Sequence, residues 1–126
     1  MRKIVATENA PEAVGPYSQA IIAGNLVFTA GQIPLDPDTG ELVEGHVSQQ
    51  ARQALKNLMA VLEAAGSDAA SVVKVTVFLK SIDDFMALNS VYEEFFSKSL
   101  PARSAVEVAR LPKDALVEIE AVATLN

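Results

Sequence analysis

The chain has 126 residues, half of them apolar, a net charge of −6, no cysteine and one histidine. That length fits one domain over residues 1–126 with a core of its own, and the composition excludes disorder, disulfides and thiolate chemistry. The acidic balance argues against nucleic acid, whose phosphates favour a basic face, and His46 alone cannot make a zinc site of histidines. Met1-Arg2-Lys3 leads into Ile4-Val5-Ala6 and then polar residues, without the long apolar stretch of a secretory signal. No apolar run is long enough to cross a bilayer. The expectation is a cytoplasmic protein with no membrane partner.

In chain order, Lys3 to Ala6 reads as a short strand, and Glu8 to Pro16, with Pro11 and Gly15-Pro16, as a loop. Tyr17 to Ile22 and Leu26 to Ala30 read as a hairpin around Ala23-Gly24-Asn25. Asp36-Pro37-Asp38-Thr39-Gly40 is a turn. Val47, Ala51, Ala54, Leu55, Leu58, Leu62 and Ala65 then recur at helical spacing. Gly66 follows where a helix would stop, predicting a helix over 47–65. Val72 to Lys80 is rich in β-branched residues and reads as a strand. Ser81-Ile82-Asp83-Asp84 has the spacing of a helix cap, and Phe85, Leu88, Val91, Tyr92, Phe95 and Phe96 line one face of a second helix. Residues 102–109 and 116–125 are strands joined by 110–115.

This order predicts an α+β domain with one mixed sheet, partly parallel, and two helices. The strands are apolar on both faces: Val117, Ile119, Ala121 and Ala123 alternate with Leu116 and Val122. Two helices cover one face only, and a bare apolar face is a liability in a monomer. A symmetric oligomer would cover it.

With neither cysteine nor a metal cluster, the chemistry left is that of arginine, carboxylates, tyrosine, amides and backbone. Such a set can bind a carboxylate and steer water onto an electrophilic carbon. Arg103, Ala105 and Glu107 share a strand face, and the small alanines leave room for the guanidinium to grip a carboxylate. The bland alternative is a surface pair between Arg103 and Glu107. Glu118 and Glu120 share a face of the last strand, where a carboxylate could orient water or simply face solvent. Tyr17 follows a rigid Gly15-Pro16 turn. Gly31 ends a strand, either for close backbone approach to a ligand or for a bulge. Asn89 lies on the second helix with nothing local to single it out. His46, just before the first helix, suits a local turn role, and Ser18 and Ser104 lack an evident base.

Gly15-Pro16-Tyr17-Ser18-Gln19-Ala20, Thr29-Ala30-Gly31-Gln32-Ile33-Pro34, Pro101-Ala102-Arg103-Ser104 and Glu107-Val108-Ala109-Arg110-Leu111-Pro112 together resemble the signatures of the RidA/YjgF family. The resemblance spans the chain in order. It implies a chorismate-mutase-like fold with two helices on one sheet face. It also implies a homotrimer with active sites at subunit interfaces, and a cofactor-free 2-iminobutanoate/2-iminopropanoate deaminase. Such an enzyme hydrolyses enamines and imines released by pyridoxal-phosphate dehydratases to 2-keto acids and ammonia. By that resemblance Arg103 binds the substrate carboxylate and Glu118 holds the hydrolytic water. Tyr17, Asn89 and the Gly31 backbone line the pocket. A non-catalytic trimeric binding or chaperone-like protein is the alternative. An RNA-cleaving role, attached to relatives, fits poorly with the acidic charge and the lack of a histidine pair. The chain departs from many members in carrying Ala30 for serine and Ala105 for cysteine.

The strand register adds a geometric expectation. If 102–109 and 116–125 form a hairpin, Glu118 lies opposite Glu107 and Arg103 is about 13 Å away. One small substrate could then touch both only if the long side chains converged or a neighbouring subunit supplied one of them.

Overall fold

The computed structural model describes residues 2–126; Met1 lies outside them. The first helix, α1, is Val47–Ala65, the span set by its apolar spacing. Gln49 Oε1 accepts the His46 N–H at 2.9 Å, satisfying a donor in the capping turn, so His46 has the local role expected of it. The helix stops at Gly66, whose φ of 87° is the left-handed conformation that favours glycine. Ala54, Leu55, Leu58, Val61 and Leu62 are fully buried. They lay α1 across β3 (Leu26–Thr29) and β6 (Val117–Thr124). Truncating a leucine in this stripe removes its transfer energy and leaves a cavity, costing about 2–5 kcal/mol.

The six strands form one mixed sheet. With β1 (Arg2–Val5), β2 (Ala20–Ala23), β4 (Val72–Leu79) and β5 (Ala102–Glu107), their order is β1-β2-β3-β6-β4-β5. Only the β4–β5 pair is parallel. The second helix, α2 (Phe85–Phe96), makes that crossover and packs on α1. It is entered through a 3₁₀ turn over Ile82–Asp84, capped by Ser81. Among the described residues no helix is long and apolar enough to cross a membrane.

Two expectations change. Residues 17–19 are not strand: β2 begins at Ala20, because the Gln19 side chain is spent on the preceding loop. Nor do the last two strands form a hairpin. β4 lies between them, pairing parallel with β5 and antiparallel with β6. The long buried strand takes the centre of the sheet, where both ladders of hydrogen bonds can form, and the shorter, more exposed β5 becomes an edge.

Alternation along the strands sorts the two faces. Val75, Val77, Leu79, Val117, Ile119 and Ala123 are buried beneath the helices. Opposite them the sheet presents Phe28, Phe78, Val106 and Val122 without cover, Phe28 and Val106 more than two-fifths exposed. Val73 joins the exposed set because the β4–β6 register shifts between Val72 and Lys74. The two-sided apolar pattern of the sequence is therefore real, and half of it faces outward.

Three buried amides tie the loops to this frame. Gln19 Oε1 accepts the Thr7 N–H at 2.6 Å and its Nε2 donates to the Pro11 carbonyl at 2.8 Å. Gln50, on α1, donates to the Val43 carbonyl and accepts the Leu116 N–H. Asn57, also on α1, donates to the carbonyls of Ile33 and Leu35. Each meets backbone groups that loops cannot pair among themselves, and a buried group left unpaired is costly. Gln19→Leu should lose about 1–3 kcal/mol of unfolding free energy. The loss should come with faster amide exchange over residues 7–11, read by denaturant melts and hydrogen exchange; an unchanged melt would show that water replaces the amide at no cost.

Candidate functional site

Glu118 lies on the open face of β6, level with Phe78 of β4. Beside it the chain from Ala30 to Leu35 rejoins the sheet through a two-bond bridge. Gln32 N–H donates to the Ile119 carbonyl at 2.8 Å, and Ile119 N–H donates back to Gln32 at 3.0 Å. The bridge sets Gly31 against the Glu118 side chain so closely that a Cβ at position 31 would lie 2.7 Å from Glu118 Cδ. Glycine is needed there for space. A hollow of about 490 Å³ opens over the pair, lined also by Tyr17, Ala30, Pro112 and Lys113. Lys113 and Asp114 both hold positive φ, at 57° and 58°. Two such non-glycine residues in succession are strained backbone, and the strain lies at the rim of this hollow. A larger hollow of about 780 Å³ covers the N-terminal segment and shares Tyr17. Its wall carries Glu8, Glu12 and Asp38, of which Glu12 is shared with the smaller hollow; the smaller one is the better candidate because it also holds Gly31, Lys113 and Glu118.

Burial pushes the Glu118 carboxyl above its usual range, and the neighbouring Glu120 charge pushes it further. Among the described residues Glu118 is in no ion pair, although Lys113 lines the same hollow.

Arg103 is on the other side of the sheet. It pairs with Val75, a fully buried residue of the helix-covered face. There its Nη1 donates to Asn89 Oδ1 of α2 at 2.7 Å. The guanidinium carbon stands 4.6 Å from the Tyr92 ring centre and 5.2 Å from that of Phe85. No pair with Glu107 forms; that carboxylate accepts the Ile82 N–H instead. Ser104 accepts an exposed hydrogen bond from the Lys74 ammonium at 3.2 Å.

The site residues read from the sequence thus fall into two groups. Tyr17, Gly31 and Glu118 share one hollow, while Arg103 and Asn89 share a separate cluster. Arg103 and Glu118 are two strands and three residues apart, roughly 10 Å across and roughly 10 Å along, and point to opposite faces. One chain does not bring them onto one small molecule. Phe85 and Tyr92 were read only as core stripe. Their signal was the i, i+4, i+7 spacing of Phe85, Asn89 and Tyr92, which puts the two rings on either side of Asn89. Lys113 gave no sequence signal, since its place follows from a left-handed turn. Among the described residues no group of three or more histidines, cysteines or carboxylates could hold a metal ion.

The sequence model described as endoribonuclease L-PSP matches residues 7–125. The chain belongs to the RidA/YjgF family. It is 59% identical over 123 residues to a RutC family protein of Pyrococcus horikoshii, covering 98% of both chains. It is 55% identical over 126 residues to the 2-iminobutanoate/2-iminopropanoate deaminase of Salmonella typhimurium, again covering 98% of each. Among solved structures, Escherichia coli TdcF with bound serine superposes with a TM-score of 0.93 at 46% identity, over 98% of this chain and 99% of that one. The fold read from the sequence, two helices on one face of a mixed sheet, is that of the RidA/YjgF family.

Glu118 gives a direct test of the local electrostatics. The folded chain binds this proton more tightly than the unfolded chain, so the contribution to stability is present below the unfolded pKa and is lost as pH rises through the raised folded value. Glu118→Gln removes that loss. Its melting temperature should exceed the parent's at about pH 7 and match it at about pH 4 or below. A variant less stable than the parent at neutral pH would show that the carboxylate is well satisfied where it lies.

Proposed function

We propose that this chain is a cofactor-free 2-imino acid deaminase, working as a cytoplasmic homotrimer whose active sites lie between subunits. The observation that carries the reading is Glu118: a half-buried carboxylate beside Gly31 in a hollow, in no ion pair among the described residues. Such a group is poised to take a proton from water. Support comes also from the relatives named as deaminases and from the serine held by TdcF, an amino acid whose carboxylate Arg103 could bind in a substrate. The separation of Arg103 from Glu118 supports an interface site, since the Arg103–Asn89 cluster of one subunit can meet the hollow of the next. The uncovered face with Phe28, Phe78, Val106 and Val122 supplies an apolar surface for that contact.

The reaction follows from these positions. Arg103 takes the substrate carboxylate through its free N–H donors. Tyr17 and the Gly31 backbone close the pocket, and Asn89 holds the arginine. Glu118 accepts a proton as water adds to the C=N carbon, forming a carbinolamine. That proton passes to nitrogen; the carbinol O–H proton then follows it as the C–N bond breaks and the C=O bond forms, so ammonia leaves and the 2-keto acid remains. The enamine tautomer enters this path after protonation at carbon. Imines hydrolyse unaided in water, so positioning the two reactants can supply the acceleration required. RNA cleavage, the activity in the family model's description, finds a net charge of −6 and a single histidine in this chain, neither suited to it.

A threonine dehydratase generating the imine in amine-poor buffer supplies the assay. Keto-acid release should be faster with the wild-type chain. Arg103→Ala should lose roughly tenfold to hundredfold in kcat/KM, the worth of a charge-assisted contact. No acceleration by folded wild type with several imines would favour the non-catalytic binding protein instead. Gly31→Ala should fold but lose turnover, since the methyl displaces the flexible Glu118 carboxylate. The acid limb of the rate profile should lie above the usual carboxylate range. It should move to lower pH in Glu120→Gln, which removes the like charge; an unmoved limb would assign it to another group.

A further inference from the structure

We infer that Phe85 and Tyr92 are positioning residues for Arg103, two rings that hold the guanidinium so that its free edge is offered to a ligand carboxylate. The inference rests on the reading of Arg103 as the carboxylate anchor, while the seat itself is testable apart from it.

Arg103 is on β5, an edge strand with a neighbour on one side only. A long side chain there has many rotamers to lose on binding. Here α2 restrains it. Asn89 takes one N–H at 2.7 Å, and the rings of Phe85 and Tyr92, a turn to either side of Asn89, stand 5.2 and 4.6 Å from the guanidinium carbon. Both distances are within reach of a cation–π attraction. Arginine has five N–H donors in a planar fork, so this seat leaves most of the fork unused. The anchoring group is an amide. An oxygen without charge orients the cation and leaves it attractive to a carboxylate, whereas an aspartate would neutralise it.

Tyr92 contributes through its ring. Its hydroxyl is buried and has no hydrogen-bond partner among the described residues, and the ring also packs on Phe96 at 4.7 Å. The phenol is held up by burial, with Arg103 acting against it, so it stays neutral beside the guanidinium. Removing the hydroxyl while keeping the ring should therefore leave the seat intact.

The test compares wild type with Tyr92→Phe, Tyr92→Leu, Phe85→Leu and Arg103→Ala. Nitrogen-15 spectra report the Arg103 Nε–H signal, which nearby ring faces displace, and circular dichroism melts check folding. The coupled assay gives KM and kcat. Tyr92→Phe should keep the Arg103 signal and a KM within about twofold of wild type. Each leucine variant should shift the signal and raise KM roughly threefold to thirtyfold, with a smaller change in kcat. If Tyr92→Leu does not fold, the half-buried Phe85→Leu decides. Leucine variants with a wild-type signal and KM, alongside a defective Arg103→Ala, overturn the positioning role and leave the functional reading standing. Failure of that reading looks different: wild type itself is inactive. The seat is then judged by the Arg103 signal and its response to added 2-oxobutanoate, which the leucine variants should weaken; equal responses in all variants overturn it.

Discussion

The candidate site depends on a one-residue slip in the sheet. From Phe28 to Gln32 five residues run against four, from Val122 to Ile119, on β6. The extra residue leaves the ladder and the chain then re-enters it through the Gln32–Ile119 bridge. Thr29 Oγ1 takes the Ala121 N–H, so that donor stays satisfied within the detour. Bulges bend a strand and re-aim what lies beside them. Here the result is a glycine backbone set against a carboxylate that would otherwise face solvent. Of the two readings of Gly31 made from sequence, the bulge is the one seen here, and the approach it produces is to the Glu118 side chain.

The buried amides secure the same region. Asn57 holds Ile33 and Leu35 just after the bridge, Gln50 holds Leu116 just before Glu118, and Gln19 holds the loop that leads to Tyr17. Two of the three sit on α1, the most deeply packed helix. Loops without ladders of their own thus inherit the rigidity of the core. A site used to place water benefits from such support, because small errors in position weaken proton transfer and attack alike.

Periodic features were legible in the sequence. α1 follows its apolar repeat to the residue, and the doubly apolar strands correctly signalled one uncovered sheet face. Pairing was less legible. Residues 102–109 and 116–125 are joined by a short loop, which suggests a hairpin, yet β4 separates them because a long apolar strand gains most from two neighbours. The error changed the geometry and left its consequence intact. In the hairpin reading Arg103 and Glu118 were too far apart along one ladder; in the structure they are too far apart and also on opposite faces. The aromatic seat of Arg103 was hidden for a different reason. Phe85 and Tyr92 have the spacing of any core stripe, and only the edge-strand arginine lying over them shows a second use.

The two half-sites differ in their unmet electrostatic need. Glu118 is a half-buried carboxylate with a like charge nearby and, among the described residues, in no ion pair, a state the fold alone disfavours. Arg103 is a cation steadied by two rings and a neutral amide, with no anion within ion-pair distance. Neither is a good arrangement for stability: an aspartate at 89 would pair the arginine, and Lys113 lines the glutamate's own hollow without forming an ion pair with it. Both being left uncompensated argues for groups kept free for something outside the chain. Under the proposed assembly they face each other across a substrate that carries a carboxylate at one end and an electrophilic carbon next to it. The arginine meets the first and the water held by the glutamate meets the second. Direct pairing of the two would quench both. The sheet, by carrying them on opposite faces, prevents that pairing within one subunit.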